Sequence, residues 1–412
     1  MRGWLRQTVG GLPASFWYLW TGTLVNRLGS FVIIFLAIYL TRVRGFSTSY
    51  AGLVLGLYGA GAAAGTLLGG VLADRWGRRR TLLLSYLSGA GCMLGLGLLR
   101  ERYAIAVGAA ALGMATELAR PAFSALFIDV VPERDRLRAF TLNYWAINLG
   151  FACSAVLAGL AASVNYFVLF AVDAGTTLIA ASIVLTRVRE PRRIAAAATS
   201  AAGPPAGLGA VFRDRVFLSF VGLNLLIALL IMQHQSMLPI SMGRDGLSAA
   251  TYGSVIALNG MLIVLGQLFV PRLIGNRNRS RVLAVAAVVV GVGFGLTAFA
   301  HTAPLYAVTV LIWTVGEMLN SPSNATMVAE LTPAALRGRY QGVFSLSWSG
   351  ASFAAPVLGG LVQQHLGRTA LWLGCAAVGG AIATGHLLSG PARERRAAAL
   401  ATTGTLADPV SA

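Results

Sequence analysis

Apolar runs long enough to cross a bilayer follow one another along almost the whole chain, parted by short polar breaks. A helix needs about 20 such residues to span a hydrocarbon core of roughly 30 Å. The pattern predicts twelve spans, at 16–42, 47–72, 81–99, 103–131, 138–163, 165–186, 216–243, 248–271, 281–300, 303–331, 336–364 and 369–389. Composition agrees: 56% hydrophobic and 11% charged residues, with a mean hydropathy of +0.72, leave too little polar surface to cover a water-soluble domain of 412 residues. The expected fold class is an all-α membrane protein.

Charge gives this pattern a direction. Lysine is absent and all 32 basic residues are Arg. The N-terminal segment, the even-numbered loops and the C-terminal tail hold 24 of them, whereas the odd-numbered loops hold Arg42, Arg44, Arg100, Arg102, Arg244 and Arg368. Cytoplasmic loops carry the positive charge, so both termini are expected in the cytoplasm, in an inner or plasma membrane. The net charge of +18 has no water-exposed domain to present it to nucleic acid, which makes anionic lipid headgroups the expected partner. The first apolar segment follows Arg2 and Arg6 but is too long for a signal peptide, and reads as a retained helix. Cys92, Cys153 and Cys375 fall inside apolar spans and suggest neither a disulfide framework nor a metal site.

The chain repeats itself at an offset of 201 residues. Pro121, Asp129, Pro132, Arg136, Arg138, Val156, Leu157 and Gly159 recur as Pro322, Glu330, Pro333, Arg337, Arg339, Val357, Leu358 and Gly360. Gly52 and Gly65 map likewise to Gly253 and Gly266. Two pseudo-symmetric six-helix bundles follow, at 1–186 and 216–390, joined by a cytoplasmic linker at 187–215 rich in Arg, Ala, Gly and Pro. A tail at 391–412 is expected to be disordered. Parallel halves of this kind place a cleft between them at the bilayer midplane, where a rocking transporter exposes one site alternately.

Between the second and third spans, residues 70–82 read Gly-Val-Leu-Ala-Asp-Arg-Trp-Gly-Arg-Arg-Arg-Thr-Leu. Gly70 and Gly77 permit close helix approach and a sharp turn, and Asp74 is suited to cap a helix start and pair with Arg. Position by position this loop resembles the signature Gly-x-Leu-Ala-Asp-Arg-x-Gly-Arg-Arg-x-x-Leu of the major facilitator superfamily. The likeness covers nearly the whole chain and is closest to the twelve-helix drug:proton antiporter branch. It implies that Gly70, Asp74, Arg75, Gly77, Arg78 and Arg79 serve a conformational gate, with Asp129 beside Arg136 and Arg138 as a second part. The repeat copy, Glu330 with Arg337 and Arg339, then becomes a candidate to meet Asp74 across the halves.

Charged groups at bilayer depth are costly and mark pathways or partners. Glu117 and Arg120 stand one turn apart in the fourth span, where they can pair. Arg120 resembles the family's fourth-helix Arg associated with proton coupling, although Pro121 stands where Gln-Gly would follow. Glu317, Asn320 and Asn324 share one face of the tenth span, and a carboxyl buried there is a candidate proton carrier. The first span adds Asn26 and Arg27, a possible partner of either carboxylate, and the seventh adds Gln233, His234 and Gln235. Spans one, four, seven and ten are those that line the family's cavity. Asp173 and Gln267 read as helix-packing groups. Ala355-Pro-Val-Leu-Gly-Gly360 resembles the family's Gly-Pro-x-x-Gly-Gly, but in the eleventh span; the fifth, where antiporters carry it, lacks the Pro and one Gly.

No nucleotide-binding or zinc-hydrolase motif occurs, so an enzyme is not expected and no cofactor is implied. The functional reading is a secondary transporter exporting amphipathic or aromatic small molecules against protons. Uptake of a defined polar solute is the alternative and a non-transporting membrane sensor a remote one. A substrate, protons and lipids are the implied partners, and a monomer suffices.

Overall fold

The computed structural model describes residues 11–132, 135–188, 209–267, 269–275, 277–333 and 336–406, which are almost entirely helical. Beside two short helices, Gly209–Arg213 and Val270–Ile274, twelve long rods follow one another among the described residues. In the first half these are α1 (Ala14–Val43), α2 (Thr48–Trp76), α3 (Arg78–Leu98), α4 (102–130), α5 (Arg136–Val164) and α6 (Tyr166–Arg187). In the second half they are α7 (Arg215–Arg244), α8 (Ala249–Gly266), α9 (Arg279–Phe299), α10 (Ala303–Leu331), α11 (Arg337–His365) and α12 (Arg368–Leu406). Nine are long and apolar enough to cross a membrane: α1, α2, α3, α5, α6, α7, α8, α9 and α12. Of the rest, α4 is broken at Leu118, and α10 and α11 interleave Asn, Ser and Gln with their apolar residues.

The repeat seen in the sequence is also a repeat of local structure. Ser47 caps α2 by accepting the Tyr50 amide, and Ser248, 201 positions on, caps α8 by accepting the Thr251 amide. The halves join through two related seams, α2 against α11 and α5 against α8. A Cβ on Gly52 would lie 2.2 Å from the Pro356 carbonyl oxygen, and one on Gly253 would lie 2.1 Å from that of Ala155. These contacts exchange under the repeat, because Gly52 maps to Gly253 and Ala155 to Pro356. Backbone touches backbone at both seams, which only small residues allow. Within the first half, Gly61, Gly65 and Gly69 of α2 lie equally close to the Ala110, Met114 and Leu118 carbonyls of α4.

Two expectations change. The segment 391–406 is helical rather than disordered, because α12 runs on past Pro391 to Leu406. Its side chains have partners: Arg396 pairs with Asp214 at 2.5 Å and donates to the Leu331 carbonyl, and Asn278 donates to Glu394. Residues 407–412 and linker residues 189–208 lie outside the described residues. The fourth span is two helices, Arg102–Glu117 and Ala119–Val130, because Pro121 has no N–H for the Glu117 carbonyl and its ring crowds that position.

Candidate functional site

At the end of the bundle opposite residues 70–82, hereafter the far end, the halves are tied together. Val32–Ile38 of α1 packs on Gln233–Arg244 of α7. Arg42 of the first half donates to the Gly243 carbonyl of the second, and Arg244 donates to Thr48 Oγ1 at 2.8 Å in return. The Ser49 amide donates to Gln364 Oε1 at 2.9 Å. The seventh and first rods are both interrupted midway, at Met232 and at 29–31, so their far-end segments are separate pieces.

Below this closure lie two concavities, of about 290 and 390 Å³. The first lies within the first half, with α1 and α4 supplying most of its wall and α2, α3, α5 and α6 the rest. The break at Leu118 presents Glu117 and Arg120 to it, paired at 3.3 Å, and Arg27 shares the space without pairing to Glu117 or Glu317 among the described residues. Asn26 donates to Thr177 Oγ1 of α6 at 3.0 Å. Arg120 is 72% exposed, so its pair with Glu117 is solvated and contributes little to stability.

The second concavity belongs to α10, α11 and α8, with Tyr144 of α5 reaching it from the other half. Glu317, Asn320 and Asn324 all line it. Glu317 has no basic partner among the described residues; it accepts from Asn259 Nδ2 at 2.9 Å, and Asn259 donates also to Thr314 at 3.1 Å. Asn324 donates to Asn224 Oδ1 at 3.0 Å, and Asn224 to Ser347 at 2.5 Å, so α7, α10 and α11 are linked by neutral amides. Phe344 and Trp348 supply aromatic wall.

The α7 trio lies elsewhere. His234 is buried beside Trp313, with Nδ1 against the Ile231 carbonyl at 2.5 Å, and lines neither concavity. Gln233 donates to the Ala355 carbonyl of α11 at 3.0 Å and holds the two rods together. Gln235 is half-buried and lines neither concavity.

In the signature loop, Gly77 adopts φ 106°, a conformation that favours glycine, and makes the turn between α2 and α3. Gly70, expected to permit close approach, has open space where a Cβ would stand. Asp74 sits in the last turn of α2, and the N-cap position of α3 is Gly77, which has no side chain to cap with. Arg78 pairs with Asp129 at the end of α4, and Arg79 donates to the Leu185 carbonyl of α6 at 2.5 Å. Arg75 is exposed, as is Glu330 at the end of α10; the Arg337 side chain lies outside the described residues. Arg138 pairs with Asp135 at 3.2 Å.

Two further carboxylates belong to this region: Asp173, which the sequence offers only as a helix-packing group, and Asp245, which the sequence reading does not single out. Asp173 is 4% exposed, belongs to the first concavity, and accepts the Val32 amide at 3.0 Å. Its signal, a carboxylate inside an apolar span, was as plain as that of Glu317. Asp245, beyond the far end of α7, meets Arg368 at 2.7 Å, Tyr306 at 2.7 Å and His301 at 3.3 Å. Burial alone would raise its pKa, but hydrogen bonds from Tyr306, Arg368 and His301 hold the carboxyl below the usual range.

Residues 19–356 match the family model described as Major Facilitator Superfamily. The chain is 30% identical to the MFS-type transporter YttB of Bacillus subtilis over 88% of its own length and 91% of the relative's. It is 24% identical to a Na(+), Li(+), K(+)/H(+) antiporter of Planococcus maritimus, covering 78% and 83% of the two chains, and 24% identical to multidrug resistance protein MdtH of Aeromonas hydrophila, covering 85% and 87%. The crystal structure of a mutant of the nucleoside transporter NupG superposes with a TM-score of 0.79 at 15% identity, over 91% of this chain and 99% of that one, a likeness of fold. With a helical bundle in two repeated halves and a family match over most of its length, the chain belongs to the Major Facilitator Superfamily of membrane transporters.

Proposed function

We propose that this transporter is a proton-coupled exporter of amphipathic or aromatic small molecules, with both termini in the cytoplasm and the cavity of this structure facing inward. The carrying observation is Glu317: a carboxyl in a cavity wall with aromatic neighbours, contacted by a neutral amide and by no basic group among the described residues. Such a carboxyl can take up and lose a proton as the cavity faces one side and then the other, whereas a carboxylate fixed to an Arg could not do so cheaply. Tyr144, Phe344 and Trp348 supply the apolar surface that an aromatic substrate needs. The names of two relatives, a multidrug resistance protein and a cation/proton antiporter, support export and proton exchange. The Arg asymmetry of the loops supports the orientation.

The test is accumulation of fluorescent cationic, neutral and anionic compounds in pump-deficient bacteria expressing the chain, with and without a protonophore, beside a Glu317→Gln variant. The expected result is lowered accumulation of part of the panel, restored by the protonophore and by the substitution. Unchanged accumulation across the panel in well-expressed protein overturns the reading and leaves a narrow-substrate exporter or an importer.

A further inference from the structure

We propose that Asp173 is a proton-binding site that anchors the far-end segment of α1, so that protonating it releases the far-end closure. The segment Val32–Ile38 continues through a π-helical turn, Tyr39–Val43, as one short rigid piece. It is cut from the rest of α1 by residues 29–31 and is almost wholly buried. Its first amide, that of Val32, donates to Asp173 Oδ2 at 3.0 Å, and its last turn carries Arg42, whose guanidinium holds the Gly243 carbonyl of the other half. One piece thus joins a titratable carboxylate in the cavity to the closure between the halves.

The other half of α1 is held to α6 in a different way. Gly29 lies so near α6 that a Cβ there would stand 1.9 Å from Thr176 Oγ1, and Asn26 donates to Thr177. Neither contact changes with protonation. The far-end segment, by contrast, offers its amino-terminal amide to a carboxylate. An ionised acceptor makes a bond about twice as strong as a neutral one, and the partial positive charge at a helix start adds to it. A proton on Asp173 removes both contributions.

Asp173 is placed to receive that proton. The groups around its cavity are Arg27 of α1, Tyr58 of α2, Tyr86 of α3, and Glu117 with Arg120 of α4, while α5 presents the neutral Asn143. Arg27 and Arg120 form no ion pair with Asp173 among the described residues, and Arg120 is taken by Glu117. The empty protein with ionised Asp173 is held closed at the far end, and proton binding licenses the change of access. This consequence for transport rests on the proton-coupled reading above, but the gate itself is measurable without transport.

The experiment places a nitroxide pair at the exposed positions Val43 and Leu366 of the full-length chain, with Cys92, Cys153 and Cys375 replaced, and reads the distance distribution at mildly alkaline and mildly acidic pH. The far-end-open population should rise about fivefold on acidification, as expected when one charge-assisted hydrogen bond is weakened to a neutral one. Asp173→Asn should show the raised population already in alkali and no further response. Arg42→Ala should raise it at both pH values while keeping the response, and Asp173→Glu, which keeps a titrating group, should recover a response. An Asp173→Asn protein that responds to pH as the wild type does overturns the proposal. So does a wild type whose distances ignore pH, and so does Asp173→Glu behaving as Asp173→Asn. If the gate responds as stated but the accumulation assay finds no export, the exporter reading falls and this inference stands.

Discussion

Asp245 stands just past α7 with Arg368, Tyr306 and His301 turned toward it, and ties the far ends of α7, α10 and α12 together. Its pKa is held below the ordinary carboxylate range, so its contribution to stability is complete above the unfolded-state value and disappears as pH falls through the lowered folded value. Asp245→Asn should therefore cost about 1–3 kcal/mol at neutral pH, read as a lower Tm, and the gap from wild type should narrow in acid. A gap that widens on acidification would contradict the assignment. Single residues of this kind were unevenly legible in the sequence. Glu117, Arg120, Glu317, Asn320 and Asn324 stood out as polar groups in apolar spans, and the structure brings them to cavity walls. Asp173 stood out equally but was read as packing, because its partner is a backbone amide 141 positions away at a helix break. His234 offers the reverse case: its chemistry was visible, but not the packing that buries it against Trp313.

Glycine spacing decides how the rods meet, and it can be tested pairwise. A methyl on Gly52 or on Gly253 would press on a backbone oxygen at about two-thirds of a normal contact distance, and a carbonyl in mid-helix cannot move aside as a flexible side chain can. Gly52→Ala and Gly253→Ala should each cost about 1–3 kcal/mol in thermal stability. Gly70→Ala, with open space around it, should be neutral or slightly stabilising through helix propensity. Equal effects at all three positions would show that the seams are not limited by contact. The seams were half legible: the recurrence of Gly52 as Gly253 was plain, and the same offset pairs Ala155 with Pro356, but nothing in the pattern says that these carbonyls face the glycines. Helix breaks were less legible still. Pro121 and Pro322 are repeat mates, yet α4 is interrupted at Leu118 while α10 runs unbroken from Ala303 to Leu331 with Pro322 inside it. A proline removes the same hydrogen bond in both places, and the packing around it determines whether the helix parts or bends.

The two-half plan of the whole molecule was the most legible feature, because an offset of 201 residues is read by counting. What the count misses is the end of the second half. There α12 extends past Pro391, although its Ala- and Arg-rich sequence looks as suited to solvent as to structure. The extension gains its place through contacts with distant elements. Arg396 pairs with Asp214, the residue that caps α7, and Tyr340 of α11 donates to the same carboxylate at 2.8 Å. Arg393 is buried with its guanidinium over the Phe220 ring and against His386. Asn278, which caps α9, donates to Glu394. One helical extension thus reaches the starts of α7, α9 and α11, so the ends of the second half are held by a strap and not by their loops alone. Removing Arg396 leaves a carboxylate that is only 6% exposed with the Tyr340 hydroxyl and the Phe217 amide but no counter-charge, which costs more than losing a surface pair. Arg396→Ala should lower stability by about 2 kcal/mol, a figure reduced because the guanidinium itself is partly exposed. Ending the chain after residue 390 should lower it further, and Glu394→Ala should do little. If the shortened chain unfolds at the same temperature as the full one, the extension is a passenger on the fold, and the second half is held together at this end by its loops.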